Sequence, residues 1–183
     1  EILRDGGGAY ADIDTLFVRR YPDAWFVHDC VLGEEPPGGG ADGVLRPSLC
    51  NAVILARPGS RFVSRWLDDA RVSFDGTWNR HSCVAAARLW SEGPDEVHVL
   101  PRHCFYRHGP TRAGIAALFE QRDDRLDAVA SLHLWAHLWW DERRVDFSHF
   151  HAGLVTPGWI ARGEATFSQI AQRFVPGSGP FDD

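Results

Sequence analysis

Gly6-Gly7-Gly8-Ala9-Tyr10-Ala11-Asp12-Ile13-Asp14-Thr15 is the stretch on which the reading of this 183-residue chain turns. In an extended segment, residues two apart point the same way, so Asp12 and Asp14 are expected to project together. Two carboxylates on one face present hard oxygens, the donor type that suits Mg²⁺ or Mn²⁺. Such a cation neutralises charge developing on a leaving diphosphate, which is Lewis-acid catalysis. The glycines, Gly7 and Gly8 among them, allow close approach of a ligand or a packed helix where a Cβ would clash.

Outward from that stretch, strands and helices alternate. Thr15 to Val18, Ala24 to Leu32, Asn51 to Ala56, Val97 to Leu100 and Val129 to Leu134 read as strands. Helices are expected after Pro58-Gly59, over about Ser82 to Trp90, Arg112 to Arg122 and Glu164 to Phe174. In the first, Phe62, Val63, Trp66, Leu67 and Ala70 share a face, and in the last Phe167, Ile170, Ala171 and Phe174 should point inward. Gly33 to Pro47, rich in Gly, Pro and acid, reads as a loop, and 176–183 as a disordered tail behind a domain of residues 1–175. The alternation implies an α/β layer architecture.

Composition removes several functions. A net charge of −6 argues against wrapping nucleic acid. All 19 Lys+Arg residues are arginine, so Schiff-base, P-loop and lysine-base chemistry are excluded. No methionine is present, and Glu1-Ile2-Leu3-Arg4 reads as the tail of a helix; the chain is therefore expected to start inside a longer protein. Cys30, Cys50, Cys83 and Cys104 form no C-x-x-C pair, leaving buried thiols or two disulfides rather than zinc. No run reaches the ~18 apolar residues of a membrane span.

Read as E-I-L-R-D-x-G-G-x-Y-x-D-x-D, residues 1–14 resemble the sugar-binding region of DXD-motif glycosyltransferases. That group includes yeast-type α-1,6-mannosyltransferases, fungal capsule and glycolipid transferases and, distantly, clostridial glucosylating toxins. The likeness continues through Asn51-Ala52-Val53-Ile54 with Pro58-Gly59, Trp66-Leu67, Trp78-Asn79-Arg80-His81-Ser82, Val99-Leu100-Pro101 with Phe105-Tyr106, and His133-Leu134-Trp135. It covers about residues 1 to 174. The resemblance implies a GT-A-like mixed sheet flanked by helices, present here as an N-terminally truncated portion, and a metal-dependent, retaining transfer. It implies a nucleotide-sugar donor, a carbohydrate-bearing acceptor and Mn²⁺ or Mg²⁺. In a eukaryote it implies a Golgi lumen location through an anchor preceding Glu1. Asp12 and Asp14 take the catalytic and metal-binding roles, His133 joins them at the metal, and Gly7, Gly8, Tyr10, Asn51 and Trp135 contact the donor. The family's first nucleotide-binding strand and an upstream Asp-x-x-Arg pair have no counterpart; Leu138, Trp139 and Trp140 stand where a Ser-Trp is usual, and Ala11 replaces a larger apolar residue.

The remaining residues have plainer readings. Asn51 opens a buried strand and either hydrogen-bonds the donor or caps structure. Trp135, Trp139 and Trp140 are candidate sugar or base platforms, while Trp66 and Trp90 fit a core. His137 reads as supporting or surface; His98, His103, His108, His149 and His151 read as structural or exposed. Two other functions fit parts of the pattern. Asp12-Ile13-Asp14-Thr15 matches the D-x-D-x-T of haloacid-dehalogenase-type phosphatases, against which stand the absent lysine and the glycines before Asp12. A sugar- or nucleotide-binding module without turnover is the alternative from outside enzymes.

Overall fold

Cys30-Val31-Leu32 and Asn51 to Ala56, both continuous apolar runs, pair with each other at the centre of a sheet. The computed structural model describes residues 1–39, 45–77, 79–143 and 146–175. Trp78 of the resemblance and the 176–183 tail lie outside them. Among the described residues there are six strands, β1 (Gly8–Ala11), β2 (Thr15–Phe17), β3 (Cys30–Gly39), β4 (Leu45–Ala56), β5 (Val97–Leu100) and β6 (Ser131–His133). The α-helices are α1 (Ile2–Gly6), α2 (Arg61–Ser73), α3 (Ala85–Glu92), α4 (Arg112–Phe119), α5 (Pro157–Arg162) and α6 (Thr166–Ala171). They form two compact units, one of Glu1–Ile13 with Arg20–Tyr106, the other of Asp14–Arg19 with the chain from Arg107 onward.

The first unit is a mixed four-stranded sheet, order β1-β4-β3-β5, flanked by helices. β4 is antiparallel to β1 and β3, and β5 is parallel to β3. Phe62, Val63 and Trp66 of α2 and Ala85, Ala86 and Leu89 of α3 pack on Cys30, Leu32, Ala56 and Val97. The expected stripe on α2 thus holds at its buried heart, with Leu67 and Ala70 half-buried beside it. The start of α2 is fixed by Asp29, whose carboxylate accepts from Ser60 Oγ (2.9 Å), Phe62 N (3.1 Å) and Arg61 N (3.2 Å). A carboxylate on unsatisfied first-turn amides is favoured by both hydrogen bonding and the helix dipole.

Three expectations fail here. Gly33 to Pro47 is not simply a loop: β3 and β4 run through its ends, with register shifts after Leu32 and Glu35, and 40–44 lie outside the described residues. Gly33 is required in β3 because a Cβ there would sit 2.5 Å from the Tyr106 ring and 2.8 Å from that of Phe105. Ala24 to Leu32 is a strand only from Cys30; Asp23–Val27 form a 3-10 helix that sets Trp25 edge-on to Phe105, ring centroids 5.5 Å apart. The second expected helix also begins differently, with a wider π turn over Arg80–Val84 before α3.

The second unit pairs β2 with β6 antiparallel, Thr15 opposite His133 and Phe17 opposite Ser131. Its core gathers Ile115, Leu118 and Phe119 of α4 with Leu132, Trp139, Phe150 and Ile170, and Phe119 stacks on Phe150 at 4.5 Å. Phe174, expected inward, is 58% exposed because the helix tightens to 3-10 geometry at Gln172. The four cysteines are free thiols, three of them buried. Among the described residues no helix is long and apolar enough to cross a membrane.

Candidate functional site

Asp14 is held in the second unit by side-chain and backbone contacts. The Thr15–His133 register brings His133 beside it, with His133 Nε2 3.1 Å from Asp14 Oδ1. Leu134 N donates to the Asp14 carbonyl at 2.8 Å, and Ala136 N donates to Asp14 Oδ2 at 2.8 Å. That second bond depends on Trp135, a non-glycine residue in the left-handed region (φ 54°, ψ 47°), which turns the chain so the next amide points back. Such conformations cost about 1–3 kcal/mol and persist where surroundings enforce them. Here the enforcement is visible: Trp135 Nε1 donates to His108 O at 2.7 Å, and its ring stands edge-on to His133 with centroids 4.2 Å apart.

The electrostatics follow. Burial works to raise the Asp14 carboxyl, but the His133 imidazole and the Ala136 amide outweigh it and hold the group down at about 2. Asp14 is therefore an anion at any working pH, partly shielded from water with 18% of its side chain exposed. Thr15 Oγ1, next along the chain, is buried with no hydrogen-bond partner among the described residues.

In the first unit, Asp12 follows β1. Its amide donates to Ala52 O at 2.8 Å, and Tyr10 OH donates to Asp12 Oδ1 at 2.6 Å. The extended segment expected over Asp12-Ile13-Asp14 is instead a turn between β1 and β2, with the Ile13 side chain fully in solvent. Gly7, Tyr10 and Asn51 line one cavity of about 830 Å³, together with Ile54, Val63 and Trp66. Asn51 is half-buried and its Oδ1 accepts from Cys83 Sγ at 3.1 Å. Gly7 has φ 65° and its absent Cβ would meet Pro58 N and Cδ at 2.6 Å; Gly8 has φ 105° and open space around it.

The structure thus brings Asp14, His133 and Trp135 together in one unit, and Gly7, Tyr10 and Asn51 around one cavity in the other. Trp135 is 6% exposed with its ring nitrogen engaged, and Trp139 is buried with Nε1 donating to Leu134 O; of the three candidate platforms only Trp140, 64% exposed, shows its ring to solvent. Sequence reasoning missed the Ala136 amide, which as a backbone group has no side-chain signal. It also missed the Tyr10–Asp12 bond, which the Tyr-x-Asp spacing on one strand face signals.

No family model matches the chain, and no solved structure matches it. It is 29% identical over 182 residues to Glucan organizing enzyme 1 of Cryptococcus neoformans var. grubii, across 99% of this chain and 47% of that protein. The chain therefore spans about half the length of the curated relative it matches.

Proposed function

We propose that this chain is the part of a metal-dependent, GT-A-like glycosyltransferase that holds the donor diphosphate, moving a sugar from a nucleotide-sugar to a carbohydrate-bearing acceptor with retention. The observation that carries the reading is the Asp14 carboxylate, kept ionised and fixed in place by His133 and the Ala136 amide. Asp12 stands two residues earlier, so the chain alone keeps the two Cα atoms within ~7 Å. Asp12, which belongs to the other unit, is the further carboxylate this reading assigns to the ion by that nearness along the chain. The donor chemistry fits Mn²⁺ or Mg²⁺: two carboxylates and an imidazole, with 3.1 Å between the Asp14 and His133 ligand atoms. Two ligands at ~2.1 Å and a right angle on one octahedral ion lie about 3 Å apart.

A bound cation supplies charge neutralisation at the departing diphosphate. The protein supplies the rest. Asp14 and His133 offer ligand atoms already oriented, so little reorganisation accompanies the reaction. Tyr10, bonded to Asp12, aligns that carboxylate and lines the cavity in which Gly7 and Asn51 contact the donor. Trp135 acts from behind, holding His133. The relative's name ties it to glucan, which supports a carbohydrate-bearing acceptor for this chain.

The protein carrying this chain, incubated with UDP- or GDP-sugar, acceptor and Mn²⁺, should release nucleoside diphosphate and form a glycosidic product. Asp14→Asn should cut turnover by orders of magnitude with the circular dichroism spectrum unchanged. Full turnover of Asp14→Asn in EDTA would sink the proposal.

A further inference from the structure

A second polar cavity lies within the unit that holds Asp14. Arg107, His108, Gln121, Arg122, Asp123 and Arg125 line about 430 Å³ where the end of α4 meets the segment that follows it. Its centre is Asp123, whose side chain is 11% exposed and accepts from Arg107 Nε at 2.7 Å and Arg125 Nε at 3.0 Å. One carboxylate thus clamps two guanidinium groups by their Nε edges. Their Nη groups make no hydrogen bond among the described residues. Arg122 is balanced by Asp124 at 2.7 Å. Three guanidinium groups face two carboxylates, giving a local excess of positive charge in a chain of net charge −6.

His108 supplies the independent observation. It is 8% exposed, and its Nε2 is buried with no hydrogen-bond partner among the described residues. Asp123 Oδ2, 3.8 Å away, is beyond hydrogen-bond reach. Burial lowers the pKa of His108, so its ring is neutral at pH 7 and carries one N–H and one lone pair. A buried ring nitrogen left unmatched is costly, and an oxygen entering the cavity would relieve that cost. A lone water, occupying ~30 Å³, leaves most of the space and both arginine forks unused.

We propose that this cavity is a binding site for an oxyanion of the phosphate type, received by the Nη groups of Arg107 and Arg125 and by His108 Nε2. Planar guanidinium forks match tetrahedral or carboxylate oxyanions two oxygens at a time. The proposal is independent of the sugar-transfer reading. The cavity is also joined to the Asp14 site by named contacts. The His108 carbonyl accepts from Trp135, and Trp135 stands against His133. An anion that steadies the segment around His108 therefore steadies the residue behind His133.

The test is calorimetric titration of the protein in EDTA, which prevents anion binding through a cation at Asp14. Separate arms use inorganic phosphate, inorganic sulfate and glucuronate, which distinguish a phosphoryl, a sulfuryl and a sugar-carboxylate source. Nitrogen-15 spectra of the imidazoles report whether His108 is touched. One oxyanion should bind saturably at a single site and shift the His108 ring signals. Arg125→Gln, at a side chain 83% exposed, should fold normally and weaken binding about tenfold or more. Arg107→Lys, which keeps charge but loses the fork, should weaken it as well. Absence of saturable binding at millimolar anion in all three arms overturns the proposal. So does binding that Arg125→Gln leaves unchanged while the His108 signals stay still.

Discussion

The two units bury different chemistry. Among the described residues, the sheet unit buries Ser60 and the tyrosines Tyr21 and Tyr106, while the second unit buries His108, Ser131, His133, Ser148, Thr166 and Ser168. Ladder length explains the difference. Strands of ten and twelve residues satisfy backbone groups among themselves, so the first core can be apolar. The second unit has strands of three residues and helices of six to eight, and its turns need side chains as partners. Thr166 Oγ1 accepts from Asp123 N at 2.9 Å and donates to Ala117 O at 2.7 Å; Ser168 Oγ accepts from Ala165 N at 3.0 Å. A core built that way can hold a carboxylate and an imidazole at fixed positions, which is where Asp14 and His133 sit. A ladder gives stiffness, and buried polar partners give placement.

The sharpest way to break the comparison is at backbone packing in the sheet unit. Gly7→Ala combines φ 65°, ψ −165° with a Cβ 2.6 Å from Pro58 backbone, and should cost about 3 kcal/mol or more in urea denaturation. Gly8→Ala, strained but uncrowded, should cost about 1–2 kcal/mol. Equal, small losses for the two would show that crowding at Gly7 is relieved by movement. In the second unit, Thr166→Val keeps shape but strands the Asp123 amide, and about 2 kcal/mol should be lost by the same measurement. A neutral effect there would contradict the role given to its buried hydroxyls.

The smallest expected effect returns to the first unit. Asp29→Ala removes the partner of the α2 amides and should cost about 1–2 kcal/mol at pH 7. Burial raises the Asp29 carboxyl, but the Phe62, Ser60 and Arg61 donors and Arg57 pull it below its usual 3.8. A depressed carboxyl stabilises the fold above its unfolded value and loses that contribution as pH falls through the folded one. The gap in urea midpoint between variant and wild type should therefore narrow as pH falls from 7 to below 3.8. A gap that stays constant over that range would contradict the capping role.

Residues whose burial is periodic were legible from sequence. Phe62, Val63 and Trp66 announced α2, and Val97 to Leu100 announced β5, because one-sided burial leaves a repeat. Gly33 to Pro47 misled because Gly and Pro read as punctuation, whereas Gly33 is a strand residue made necessary by Phe105 and Tyr106, seventy residues away. Ala24 to Val27 misled because a short apolar run has no period, and what bends it is a tertiary contact between Trp25 and Phe105. At the candidate site, Asp14 and His133 were singled out by residue type, and the β2–β6 register sets them side by side. Their expected extended geometry fails, because the turn at Asp14 and the left-handed Trp135 are imposed by the β2–β6 register and by His108. His108 itself was read as structural or exposed; its buried, unmatched nitrogen depends on where Asp123 falls in space.

The most direct test of the central claim is Mn²⁺ binding, read from the loss of the free-ion electron paramagnetic resonance signal. The account predicts one ion bound by the wild-type protein, binding abolished by Asp14→Asn, and binding weakened about tenfold or more by His133→Ala. Both variants should keep the wild-type circular dichroism spectrum. Undiminished Mn²⁺ binding by folded Asp14→Asn would contradict the account.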